Sequence, residues 1–103
     1  MDLVYAGKKV TLMKSNYISK NIYLGLFSLK DDIIDIFLDC TVNIAGLGKD
    51  EIGIKNYGEN EGMYNYLVSK NIIKKAHRYE PSGFVIIPVT RINEEILEKL
   101  KNC

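Results

Sequence analysis

The chain has 103 residues, a formal net charge of +1, two cysteines and no tryptophan. That length holds one hydrophobic core and one domain, residues 1–103, with no need of disulfides or metal to fold. The near-neutral charge argues against a protein built to grip duplex DNA, and no segment reaches the ~20 apolar residues of a membrane span. Cys40 falls in a strand pattern and Cys103 is the last residue, which reads as free thiols in a reducing cytoplasm.

In chain order, Leu3 to Ala6 and Lys8 to Lys14 read as short strands around Gly7, with Val10 and Leu12 pointing inward. Asn21 to Lys30 and Ile33 to Asn43 read as a long hairpin closed by Asp31-Asp32. A two-residue turn there sets Leu29 against Ile34, Phe27 against Ile36, Gly25 against Leu38 and Tyr23 against Cys40, making one apolar face. The reverse face carries Ile22, Leu24, Leu26 and Phe37 among Asp35, Asp39 and Thr41, so something is expected to cover part of it. Gly46 to Gly53 reads as loop and Ile52 to Asn56 as a short strand.

Asn60 is the expected N-cap of a helix through Met63 and Leu67 to Lys70, with Asn71 taking the left-handed closing position. Ile72 to Tyr79 and Phe84 to Ile92 read as a second hairpin-like pair. Pro88 makes the last strand an edge or a bulged strand. Asn93 caps a C-terminal helix, with Glu94 and Glu95 at its positive end and Lys99 and Lys101 at its negative end. The expected fold is α+β: a mainly antiparallel sheet of about five to seven strands, one helix after the central hairpin and one at the C-terminus.

The charge is uneven. Asp31 to Glu61 holds eight acids against Lys49 and Lys55, whereas Lys70 to Arg91 holds five bases against Glu80. Such a dipolar surface steers charged partners. His77 stands alone among Lys74, Lys75 and Arg78; a general base needs an orienting carboxylate, and no second catalytic group stands at a telling spacing from it. No catalytic constellation, no cofactor motif and no zinc-ligand spacing stands out. Pro81, Ser82 and Gly83 form a turn whose backbone N–H groups, with Arg78 and Arg91, suit an anion such as a phosphate. Tyr79 beside Arg78 suits stacking on a base.

The blocks Val4-Tyr5-Ala6-Gly7-Lys8-Lys9-Val10, Thr41-Val42-Asn43, Ile54-Lys55-Asn56 ahead of Gly62, Leu67 to Ile72, and Ser82-Gly83-Phe84 with Pro88, Arg91 and Asn93 carry a resemblance. With them the chain resembles a small family of domain-length proteins, without assigned function, from phages, plasmids and other mobile elements of Firmicutes and Bacteroidetes. The resemblance implies a counter-defence protein in the cytoplasm of a bacterial host, and three readings follow. One is a non-catalytic sponge for a small nucleotide immune signal, using Arg78, Tyr79, Ser82, Gly83, Arg91 and Asn43. Another is an inhibitor of anti-CRISPR type that binds a host defence protein through Asp35, Phe37, Asp39, Leu24 and Leu26. The third is a single-strand nucleic-acid binder using Lys70 to Arg78. A homodimer through the half-apolar hairpin face is left open.

Overall fold

A computed structural model describes all 103 residues. The first half is an antiparallel meander of β1 (Asp2–Tyr5), β2 (Lys8–Asn16), β3 (Ile22–Lys30) and β4 (Ile33–Asp39), paired in that order. Both tight turns have positive φ at their two central residues, Ala6 and Gly7 in one and Asp31 and Asp32 in the other. That is the primed-turn geometry matching the twist of a hairpin. The second sheet contains β5 (Thr41–Val42), β6 (Glu51–Ile54), β7 (Arg78–Ser82) and β8 (Val85–Arg91), in the order β5-β6-β8-β7. Helices α1 (Met63–Ser69) and α2 (Glu94–Lys99) complete an α+β fold, its eight strands divided between two sheets. Neither helix is long and apolar enough to cross a membrane.

The core lies between the sheets and under α1. Leu12, Leu24 and Leu26 meet Ile52, Ile54, Met63, Leu67 and Ile72, all without solvent contact. Val10 and Leu12 point inward, in keeping with the alternation of β2. Gly53 of β6 is held close: a Cβ there would lie 2.9 Å from Ile87 Cγ2 and 3.1 Å from Val42 O. Asn71 closes α1 at φ 58°, and Ile72 N–H donates to Leu67 O, the left-handed ending its short polar side chain tolerates.

Five local expectations are corrected. Leu29 does face Ile34 and Phe27 does face Ile36, but a β-bulge then moves the register, so that Leu26 faces Leu38 and Gly25 faces Asp39. Phe37 is the extra residue, and the shift turns Leu38 to the core side beside Leu26. Pro88 lies in β8, a central strand; pairing with β6 ends at Val89, so the missing N–H falls where β8 has no neighbour on that side. Asn60 does not cap α1, whose N-cap is Gly62 at φ 93°. It is instead fully buried, its Nδ2 donating to Asp39 O at 2.5 Å. Asn93 holds the N-cap position of α2, but its side chain donates to Asn71 O, joining the start of α2 to the end of α1. The segment from Ile72 to His77 is irregular, held by Ile73 opposite Ile92 and by Lys74 N–H and His77 N–H donating to Arg91 O and Val89 O.

Candidate functional site

Glu51 opens β6 after a turn in which Asp50 adopts φ 61° and Glu51 N–H donates to Gly48 O. Its side chain is only 9% exposed and reaches across β8 toward β7. Four donors converge on its carboxylate: His77 Nε2 at 2.5 Å, Arg78 Nη2 at 2.8 Å, Arg78 Nε at 3.2 Å and Gly48 N–H at 2.7 Å. Arg78 also donates to Gly46 O at 3.1 Å and to the Glu80 carboxylate. Hydrogen bonds from Arg78, then His77, then Gly48 hold the Glu51 carboxyl well below the ordinary carboxylate range, against the opposing effect of burial. Glu51 in turn raises the Arg78 guanidinium above its ordinary value.

This arrangement gives His77 an orienting carboxylate, and it is Glu51 rather than Glu80 nearby in sequence, which pairs with Arg78. Glu51 lies 26 positions away, inside a stretch that reads as loop, and only the strand order brings it there. Chemically the cluster acts as a clasp. Both carboxylate oxygens are taken, and four of the five N–H groups of Arg78 are engaged. The imidazole is 38% exposed.

The residues expected to hold a nucleotide are dispersed. Arg78 belongs to the clasp. Tyr79 and Ser82 lie on β7, and Gly83 at φ 60° forms the turn to β8. Arg91 ends β8, about 20 Å from that turn by strand rise, and faces solvent. Asn43 belongs to a separate polar group, accepting from Asn21 Nδ2 at 2.9 Å and donating to Ser19 Oγ at 3.1 Å. None of these six lines either of the two surface cavities of about 680 and 260 Å³, one beside β1 and β2 and one beside Ser19 to Ile22 and Leu47 to Glu51.

The expected protein-binding set divides. Asp35 is exposed. Phe37 is half-buried beneath the Lys8 ammonium, 4.8 Å from its ring centroid. Asp39 accepts from the Tyr23 hydroxyl at 2.6 Å. Leu24 and Leu26 are fully buried, so they are core residues that no partner reaches in the folded state.

The opposite face of the same sheet is the one left open. Leu29, Ile34, Ile36 and Val4 are 69, 59, 52 and 57% exposed, and Phe27 is half-buried among them. The register places Leu29 against Ile34 and Phe27 against Ile36, so these side chains form one contiguous patch. Beside it runs the 680 Å³ groove, lined by Val4, Phe27 and Leu29 with Lys9, Thr11 and Lys70. A second apolar surface lies on the β7–β8 hairpin, where Tyr79, Phe84 and Ile86 are exposed. Compared with protein-family models, with curated proteins and with solved structures, the chain matches none.

Proposed function

We propose that this protein works by binding another protein on the outer face of its β1–β4 sheet. The observation that carries this reading is the exposed apolar patch of Val4, Phe27, Leu29, Ile34 and Ile36. A patch of this kind, rimmed by the polar Asp2, Lys9 and Thr11, is the usual mark of a protein interface. The nucleotide reading has less support, because its six residues are scattered and its best arginine is already paired with Glu51. The resemblance to mobile-element accessory proteins points to a host defence effector as the partner, with the protein acting as a stoichiometric inhibitor in the host cytoplasm.

The test is site-specific photo-cross-linking in the bacterial host. A benzophenone side chain at position 29 is expected to give one discrete protein adduct on irradiation. The same group at position 98, on the exposed face of α2, is expected to give none. A nucleotide retained through native mass spectrometry, with no protein adduct from position 29, overturns the proposal in favour of the sponge.

A further inference from the structure

The two sheets have four edge strands, and three of them are closed to further pairing. β1 is four residues long, and the Tyr66 hydroxyl occupies Val4 O at 2.6 Å. β5 has two residues. β7 contains Pro81 and the charged Arg78 and Glu80. Short length, proline and charge are the ordinary ways of blunting an edge.

β4 has no proline and, before its bulge, a single charge, Asp35, among three aliphatic residues; Ile33, Ile34, Asp35 and Ile36 are all exposed. Its pairing with β3 uses one side only. In a hairpin with a two-residue turn, the flanking residues Lys30 and Ile33 form the hydrogen-bonded pair. Alternation then directs the N–H and C=O groups of Ile34 and Ile36 outward, to the free edge. The bulge at Phe37 ends this regular stretch.

We propose that β4 accepts an extended segment of another protein as an added antiparallel strand, and that the segment alternates aliphatic with basic residues. The two side-chain periods follow from the edge itself. Aliphatic residues of the incoming strand lie beside Ile34 and Ile36 and extend the open apolar face. Its intervening residues lie beside Asp35 on the other side of the sheet. From Lys30 to Asp39 the hairpin carries four aspartates and one lysine, so those intervening residues are basic. A second copy of this chain is a poor occupant. The symmetric antiparallel register that sets Ile34 against Ile36 also sets Asp35 against Asp35, and like charges directly opposite are destabilising. This inference rests on the protein-binding reading and names the class of segment recognised.

The experiment uses the full chain with three synthetic peptides of about eight residues, long enough to span β4. One alternates valine and lysine, one alternates valine and glutamate, and one is the lysine peptide N-methylated at every second residue. The lysine peptide is expected to bind about tenfold more tightly than either of the others, and to slow amide exchange at Ile34 and Ile36. Asp35→Lys is expected to reverse the preference between lysine and glutamate peptides. Ile36→Pro, which removes an outward N–H, is expected to abolish binding with the circular dichroism unchanged. Equal binding of the methylated peptide overturns the inference whether or not either variant folds. Protection mapping to another strand, or a dimer that protects Ile34 and Ile36 without peptide, also overturns it. Failure of the peptides alongside a protein adduct from position 29 removes strand addition and leaves the protein-binding reading standing.

Discussion

Phe27 stands opposite Ile36 on the solvent side of the first sheet, and the bulge at Phe37 separates this pair from Leu26 opposite Leu38 on the core side. One inserted residue therefore divides the hairpin into an outer half that faces solvent and an inner half that holds the core. The division gives two leucines on one strand opposite fates. Leu26→Ala leaves a cavity against the core and is expected to cost about 2–5 kcal/mol, a large part of the roughly 5–15 kcal/mol a domain has in total. Leu29→Ala is expected to change stability by no more than about 0.5 kcal/mol while lowering the yield of protein adduct from a benzophenone at position 34. Urea unfolding of both variants checks the first half. A stability loss at Leu29 equal to that at Leu26 would mean that the outer face is covered within the monomer.

Glu51 tests the clasp. Its folded-state proton affinity is below that of the unfolded chain, because Arg78, His77 and Gly48 hydrogen-bond the ionised form. Stability from this group is therefore fully present above the ordinary carboxylate value of 4.5. It is lost progressively as pH falls below that, while the unfolded state takes up a proton that the folded state refuses. Glu51→Gln keeps the shape and removes the charge, and is expected to cost about 1–3 kcal/mol at pH 7. The gap between wild type and variant should narrow at pH 3. Paired urea titrations at the two pH values measure it, and a gap that does not change with pH would show that the carboxylate charge is not what holds the clasp.

The parts of this fold that are legible in the sequence are those set by a few adjacent residues. Asp31-Asp32 as a tight turn, Asn71 as a left-handed helix end and the inward alternation of Val10 and Leu12 each follow from local dihedral preference or period. The bulge is different. Ile34, Ile36, Leu38, Cys40 and Val42 keep a two-residue period straight through the bulge, and only the adjacent apolar residues Ile36-Phe37-Leu38 mark where the register breaks so that Leu38 covers the core next to Leu26. The clasp is equally non-local: Glu51 and His77 meet because β8 enters between β6 and β7, and nothing near either residue specifies that order. Pro88 misleads for a related reason, since a central strand tolerates it where pairing on one side has ended. Of the six residues grouped as a nucleotide site, the β7–β8 hairpin sets Arg78 and Arg91 at one end and Ser82 and Gly83 at the other, while Asn43 lies outside that sheet beside Asn21 and Ser19.

Asp31 and Asp32 have φ of 53° and 64°, in the region where an L-residue with a Cβ is strained by roughly 1–2 kcal/mol. Asp31→Asn with Asp32→Gly supplies the residues that this turn favours. The double variant is expected to gain about 0.5–1 kcal/mol, which for a domain of this size raises Tm by roughly 3–6 °C. It also removes two of the four acids of the hairpin, so part of the gain could come from relieved repulsion. Repeating the melt in 1 M salt, where the Debye length is about 3 Å, separates the two. A gain that survives belongs to the backbone, and one that vanishes assigns the effect to charge and rejects the strain argument.

The two thiols are expected to differ sharply. Cys40 sits between β4 and β5 with no solvent exposure, and its N–H donates to Leu24 O. Burial, with a smaller contribution from Asp39, pushes its thiol up to about 12. At pH 8 almost none of it is thiolate, the form that attacks a disulfide reagent, and the reagent has no path to the sulfur. Cys103 is exposed near the end of β2, its Sγ donating to Lys14 O at 3.3 Å. An aromatic disulfide reagent at pH 8 should therefore modify one thiol quickly in the folded protein and both in urea. The slow thiol should react only as fast as the core opens, so destabilising the core with Leu26→Ala should accelerate Cys40 and leave Cys103 unchanged. Rapid modification of Cys40 in the folded wild type would contradict the packing between the two sheets, because that thiol lies in the core with no solvent exposure.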